Sequence, residues 1–268
     1  MVSVLMATYN EPIDYIKASI ESILNQTYTN FEFIIIDDST NPDTTETINS
    51  YAHDSRIIIL RKKSRMGFVR ALNEGLKMAK GQFIVRMDGD DIAVNDRFEK
   101  QLEYLNSHKE IDILGGNMLI INESGTVISQ RKYPSKGILL QLNSIFRSPV
   151  AHPTVMFRRS ILDNHFFYDE SFKKAEDTEF WFRLRNNGYV IANLPYNLLN
   201  FRISGDLAKK RNGEHFSYNF KARNKNFSWR YCYVDIPSII ATKLYLAIPK
   251  NLISLYYSFE NKKKISAR

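Results

Sequence analysis

What is missing from this chain of 268 residues narrows its possible functions before anything it contains is considered. There is one cysteine, Cys232. A single chain can therefore build neither an internal disulfide nor a thiolate metal site, and a reducing compartment such as the cytosol is expected. No run of roughly 20 apolar residues appears, and the most apolar late stretch, LYLAIPKNLISLYYSF, is broken by Pro249 and Lys250, so no transmembrane helix is expected. The first residues carry no basic segment, and Asn10, Glu11 and Pro12 intervene before an apolar leader core can form, so no secretory signal is expected. Neither G-x-G-x-x-G nor G-x-x-x-x-G-K-[ST] stands at a strand–helix turn, which argues against a phosphate cradle built from backbone N–H groups.

What is present is a globular composition, 44% hydrophobic and 25% charged, that suits one large α/β domain or a domain with an appendage. VSVLMA (2–7), FEFIIID (31–37), RIIIL (56–60) and QFIVRM (82–87) are continuous apolar runs of strand length, as expected for strands buried on both faces. Between them lie helical segments. IDYIKASIESIL places Ile13, Ile16, Ile20, Ile23 and Leu24 at helical spacing; DTTETINSYA opens with Asp43 as the expected N-cap; a third helix falls near 67–79. The βαβαβαβ order requires a doubly wound, mostly parallel sheet, whose ligands bind beyond the carboxyl ends of the strands.

The residues at those ends are polar and acidic: Thr8 to Glu11 after the first run, Asp37 to Ser39 after the second, Asp88 to Asp91 after the fourth. Carboxylates repel phosphate unless a divalent cation lies between them, so this crevice points to a metal-bridged phosphate ligand. Two structural alternatives compete with that reading. The acids can be turn residues or caps for a helix starting at Asn95 or Asp96. An EF-hand is excluded because Ile92 and Ala93 occupy a ligand position and the required glycine.

ATYNEP (7–12), FIIIDDST (33–40), the G-x-x-x-A-L-N-x-G run (67–75), MDGDD (87–91) and AEDTEFW (175–181), in this order, resemble a family-2 glycosyltransferase of the GT-A fold over residues 1–205. The bacterial members that build O-antigens, capsules and exopolysaccharides are the most similar, and HPTVMFRRS (152–160) and FRISGD (201–206) belong to the same likeness. The resemblance implies a nucleotide-binding half (1–95), an acceptor half (96–205) and a C-terminal extension (206–268). It implies that Thr8, Tyr9, Glu11 and Asp38 contact the nucleotide, with UDP the first expectation: a carboxylate accepts well from uracil or thymine N3–H, and guanine also offers donors. Asp88 would approach the ribose and Asp90 would bind Mn²⁺ or Mg²⁺ bridging the diphosphate. Asp177 would be the base toward an acceptor hydroxyl, with Glu176 raising its pKa, and transfer would invert the anomeric carbon. The competing structural reading makes Glu176 to Glu179 an acidic helix start above a buried Phe180, Trp181 and Leu184.

Three further residues have two readings each. His152 is either a hydrogen-bonded structural residue or an acceptor-site group; Trp181 stacks on a sugar or fills the core; Arg202, with Lys209 to Arg211, contacts phosphate or is a solvated basic loop. The Q-x-x-R-W signature of processive members is absent, and FSWRY (227–231) reads as amphipathic helix, so one sugar is added per encounter.

Charge is uneven along the chain. From Asp206 onward 13 Lys and Arg stand against 4 Asp and Glu, whereas before it the counts are 24 and 25. The extension interleaves these with aromatics and reads as two helices. They either rest on an anionic inner leaflet beside a polyprenyl-diphosphate-linked saccharide acceptor or pack on the domain. Expected localisation is cytoplasmic and peripheral on the inner face of the cytoplasmic membrane. A nucleic-acid-binding protein is the alternative of another class, disfavoured by the acidic crevice and the lack of a binding signature. An inactive scaffold relative is disfavoured by the intact acids.

Overall fold

The computed structural model describes residues 1–203 and 213–247. The four apolar runs form strands β1 (Val2–Thr8), β2 (Phe31–Asp37), β3 (Ile57–Leu60) and β4 (Phe83–Asp88), paired in parallel in the order β3-β2-β1-β4. Helices α1 (Ile13–Leu24), α2 (Pro42–Asn49) and α3 (Phe68–Met78) make the crossovers. β1 shows why its run has no polar alternation. Val2, Val4 and Met6 enter one core with Ile16, Ile20 and Ile23 of α1, while Leu5 and Ala7 enter the other with Val69, Leu72 and Leu76 of α3. The cap of α2 is not Asp43 but Asn41, whose side chain accepts the Asp43 N–H at 2.9 Å, with Pro42 fixing the first helical φ.

The strand order reverses between β1 and β4, so the chain leaves these neighbours toward opposite sides and a crevice opens beyond their carboxyl ends. Past β4 the sheet becomes mixed. β5 (Ile92–Ala93), α4 (Arg97–Ser107), β6 (Ile113–Ile121), β7 (Val127–Arg131), α5 (Gly137–Asn143), a 3₁₀ turn (His152–Thr154), β8 (Met156–Arg158), α6 (Ser160–Asp163), α7 (Glu176–Asn186) and β9 (Ile191–Arg202) follow in sequence. β8 runs antiparallel to both β4 and β6, while β6 and β9 are parallel.

The extension contributes α8 (Gly213–Lys225), a 3₁₀ turn (Trp229–Tyr231) and α9 (Cys232–Ala247). FSWRY is therefore not a regular helix. The chain breaks there because Asp235 accepts the Ser228 N–H at 3.0 Å and turns the segment, leaving Trp229 79% exposed. Both helices pack on the domain. The Arg185 guanidinium of α7 donates to both oxygens of Asp235 at 2.9 and 2.8 Å, with both side chains buried. Arg223 of α8 donates to the carbonyls of Ser144 and Arg147 at 2.7 and 3.2 Å, and Lys225 pairs with Asp169. Among the described residues no helix is long and apolar enough to cross a membrane. Lys209 to Arg211 and everything from Ile248 on lie outside them.

Candidate active site

The crevice at the β1/β4 switch holds a cavity of about 120 Å³ lined by Thr8, Tyr9, Glu11, Asp38, Asp88 and Asp90, so one space collects the acids from three separate strand ends. Asn10 stitches the first two loops together. Its backbone takes a left-handed φ of 58°, and its Oδ1 accepts from the N–H groups of Thr40 and Asn41 at 2.8 Å each. That side chain is short enough to bond locally, which is what makes the conformation tolerable. Thr8 is buried and reaches Asp37 at 3.4 Å; Asp37 itself is consumed by an ion pair with Arg61 and by the Ser39 N–H at 2.9 Å.

Asp38 faces the cavity but also has a structural task. Its oxygens accept the N–H groups of Met66 and Gly67 at 2.7 and 2.8 Å and so fix the turn into α3, where Gly67 takes φ 81°. A carboxylate has lone pairs to spare, so both duties are compatible. Arg65, which the sequence reading did not single out, lays its guanidinium 3.8 Å from the centre of the exposed Tyr9 ring and also lines the cavity, as does Phe68.

Glu11 sits against the acidic turn: a Cβ on Gly89 would lie 3.1 Å from its carboxyl carbon. Burial pushes its pKa up to about 7, aided by Asp90 and Asp88, although the Tyr9 N–H donated to it at 2.8 Å opposes the rise. The turn is braced from behind. Arg202, at the end of β9, is nearly buried and donates its backbone N–H to Asp91 at 2.8 Å and its Nε to the Asp90 carbonyl at 3.0 Å. Its other nitrogen bonds the carbonyls of Asn122 and Glu123, so in this structure Arg202 holds the turn rather than reaching into a loop. Asp91 is fully buried, and burial followed by repulsion from Asp88 and Asp90 holds its pKa well above the usual carboxylate range.

A second cleft of about 440 Å³ opens beside the first, lined by Asp177, His152, Tyr133, Arg147, Phe216 and Arg223 among others. Asp177 lies in the first turn of α7, which opens from Ala175 in a left-handed conformation (φ 55°, ψ 25°), a strained state for alanine. One Asp177 oxygen accepts the Thr178 N–H at 2.7 Å. Burial raises the pKa of both acids: Asp177 upward with Asp88 adding to it, and Glu176 to about 8 with Asp177 as the next cause. The α7 helix also buries Phe180, Trp181 and Leu184, so the acidic start and the apolar face coexist.

His152 lines this cleft but is largely buried, its Nε2 within 2.8 Å of the Tyr168 hydroxyl; burial, then the charge of Arg86, hold it uncharged well below the usual imidazole range. Trp181 is fully buried, packs edge-on against His152 and at a tilt against Phe180, and lines neither cavity, so it fills the core instead of offering a face to a sugar. The cleft's other wall comes from α8 and α9, through His215, Phe216, Asn219, Arg223 and Thr242. No motif marks these positions, and only the docking of the extension onto α7 brings them beside Asp177.

The sequence pattern of Glycosyl transferase family 2 matches residues 3–166. The chain is 35% identical over 219 residues to the O-antigen biosynthesis glycosyltransferase WbnJ of Escherichia coli, covering 78% of this chain and 82% of that one. Among solved structures it is similar to S. aureus TarS 1–349 in complex with UDP-GlcNAc, at a TM-score of 0.66, 21% identity and coverage of 84% of this chain and 66% of that one. It is also similar to the mannosyltransferase PcManGT of Pyrobaculum calidifontis, in complex with GDP-Man and Mn²⁺, at a TM-score of 0.68, 16% identity and coverage of 94% and 71%. The chain spans 39% of the longer TarS chain.

Proposed function

Since the chain belongs to glycosyl transferase family 2, has its GT-A fold and is thereby a transferase that takes sugar from a nucleotide-sugar donor, we propose that it moves a single hexose or N-acetylhexosamine from a UDP-sugar to a saccharide acceptor in surface-polysaccharide synthesis, with inversion at the anomeric carbon. The observation that carries this reading is the convergence of Glu11, Asp38, Asp88 and Asp90 on one crevice at the switch point, with Asp177 in a separate cleft beside it. In this reading Tyr9 and Arg65 flank the base, Asp38 accepts from it, and Thr8 and Glu11 shape the floor. WbnJ, an O-antigen enzyme by name, supports the pathway class, and the UDP-GlcNAc complex of TarS supports the donor class.

A divalent cation fits the residues present. The turn offers hard carboxylate oxygens at Asp88 and Asp90, and among the described residues no set of three ligands closes a cage. A cation at such an open site completes its shell with substrate phosphates, as Mg²⁺ and Mn²⁺ do. Asp90 would hold it, and when bound it would stabilise the charge that grows on the departing nucleoside diphosphate. Asp177 takes the proton from the acceptor hydroxyl as that oxygen attacks C1 from the side opposite the leaving group. Glu176, protonated at neutral pH by its burial, keeps the pair at a single negative charge.

The acceptor in this proposal is lipid-linked, and the protein is peripheral on the inner face of the cytoplasmic membrane. Support comes from exposed apolar side chains on α5, on the segment after it and on α9, the last two of which line the cleft: Leu139 of α5 and Phe146 beyond it, 67% and 78% exposed, and Tyr233, Ile236, Ile240 and Leu244 along α9. Turnover of a panel of nucleotide sugars, with Mn²⁺ and with chelator, tests the donor reading. Release of UDP from one donor, abolished by chelator and by Asp90→Ala, is the expected result; undiminished transfer without the ion and without that side chain would refute it.

A further inference from the structure

Arg86 is a positive charge placed where an apolar residue would ordinarily sit. It occupies the middle of β4, the strand at the switch point, and is 1% exposed. Burying a guanidinium costs several kcal/mol unless partners offset it. Its partners are few. One terminal nitrogen pairs with the Asp88 carboxylate two residues on, which shares its face of the strand; the other reaches the Leu5 carbonyl only at 3.5 Å; Nε has no hydrogen-bond partner among the described residues. The guanidinium lies 5.2 Å from the centre of the Phe68 ring, which lines the donor cavity.

The charged and titratable groups within its electrostatic reach come from several elements: Asp88 and Asp91 of the acidic turn, Arg97 of α4, His152 of the 3₁₀ turn, Tyr168 of the loop before α7, and Glu176 of α7. Asp88 is paired with this cation directly, and Glu176 at the start of α7 feels its charge. A residue that served only to fill the core would carry neither the charge nor the single directed pair.

We propose that Arg86 is a positioning residue for the reaction: it aims the Asp88 carboxylate into the donor cavity and supplies a fixed positive charge that the acids of the crevice and the acidic start of α7 both feel. This rests on the donor reading above. Its lever is the ion pair, so the acid turn should lose donor affinity when the pair is broken, and the base should lose acidity when the charge is removed. Outer partners that orient a carboxylate of this kind are worth roughly 10–100-fold in affinity or activity.

The test uses the full chain with Arg86→Met, which keeps the volume and removes the charge, and Arg86→Lys, which keeps the charge and removes the fork. Binding of UDP with Mn²⁺ is measured by calorimetry, and kcat/KM against pH with the donor that the panel selects. Arg86→Met is expected to bind UDP–Mn²⁺ roughly 10–100-fold more weakly and to move the acid limb of the pH profile to higher pH. Arg86→Lys should weaken binding while leaving that limb near its original position. In an Asp88→Asn background, Arg86→Lys should add no further loss of UDP binding. A folded Arg86→Met with unchanged binding and an unchanged acid limb would overturn the proposal. If Arg86→Met fails to fold, an Arg86→Lys protein that matches the parent in UDP binding would overturn it. Failure of the unaltered protein to bind UDP–Mn²⁺ would instead sink the donor reading, and this inference with it.

Discussion

Asp177→Asn keeps the shape of the side chain and its bond from the Thr178 N–H while removing the charge that would accept a proton. Turnover should fall by roughly 10²–10⁴-fold, the range typical for loss of a general base, with UDP–Mn²⁺ binding little changed; full turnover in this variant would remove Asp177 from the chemistry. Glu176 gives a second residue-scale expectation, through stability. Its folded-state pKa is raised to about 8, chiefly by burial, from an ordinary value of 4.5. Between those two pH values the folded protein holds a proton that the unfolded chain has released, so stability falls as pH rises through this window. Denaturant unfolding at pH 5 and pH 8.5 should show that decline in the parent protein and a smaller one in Glu176→Gln. Equal declines in both would mean that another group titrates. The residues that sequence alone identified here were acids at strand ends and in the E-D pair, because charge beside an apolar run is visible without a structure. Arg65, Phe68 and Arg86 were not identified, since each acquires its meaning from a neighbour across the crevice and not from its place in a motif.

At the scale of elements, the first four strands and three crossover helices were legible because doubly buried strands are written as unbroken apolar runs. The second half was not: β8 has only three residues and β5 two, and their places depend on pairing with β4, β6 and β9 rather than on any local period. The break after α8 is not written in a local period either, since a carboxylate seven residues further on, Asp235, sets it. That residue carries the element-scale prediction. Asp235→Ala leaves the Arg185 guanidinium buried without its bidentate partner and releases the turn before α9. The cost should be about 3–5 kcal/mol, read as a lowered urea midpoint, and a change under roughly 1 kcal/mol would show the pair to be dispensable. Gly81→Ala belongs to the same scale. Its new methyl would lie 2.5 Å from the Ser3 backbone nitrogen of the neighbouring strand, and backbone cannot step aside as a side chain can. The expected result is a lower melting temperature with the donor crevice still able to bind UDP.

For the molecule as a whole, the extension is neither a free basic tail nor an inert cap in its described part. Arg223, Lys225 and Asp235 tie it to the domain, while it faces the second cleft with aromatic and polar groups and presents aliphatic ones outward. Composition alone could count its charges but could not tell which were already spent on partners. If the outward face rests on a bilayer, Ile240→Ser with Leu244→Ser should leave the melting temperature within a few degrees and reduce co-flotation with anionic liposomes several-fold. Unchanged flotation would assign membrane contact, if any, to another part of the chain.

The sole sulfhydryl of the chain stands at the first residue of α9, partly accessible, on the helix that walls the second cleft. Nature has thus left one chemically unique handle at a strategic spot. A nitroxide or fluorophore attached to Cys232 needs no background mutagenesis and would report, by line shape or anisotropy, whether this helix stays put or shifts when nucleotide and saccharide arrive.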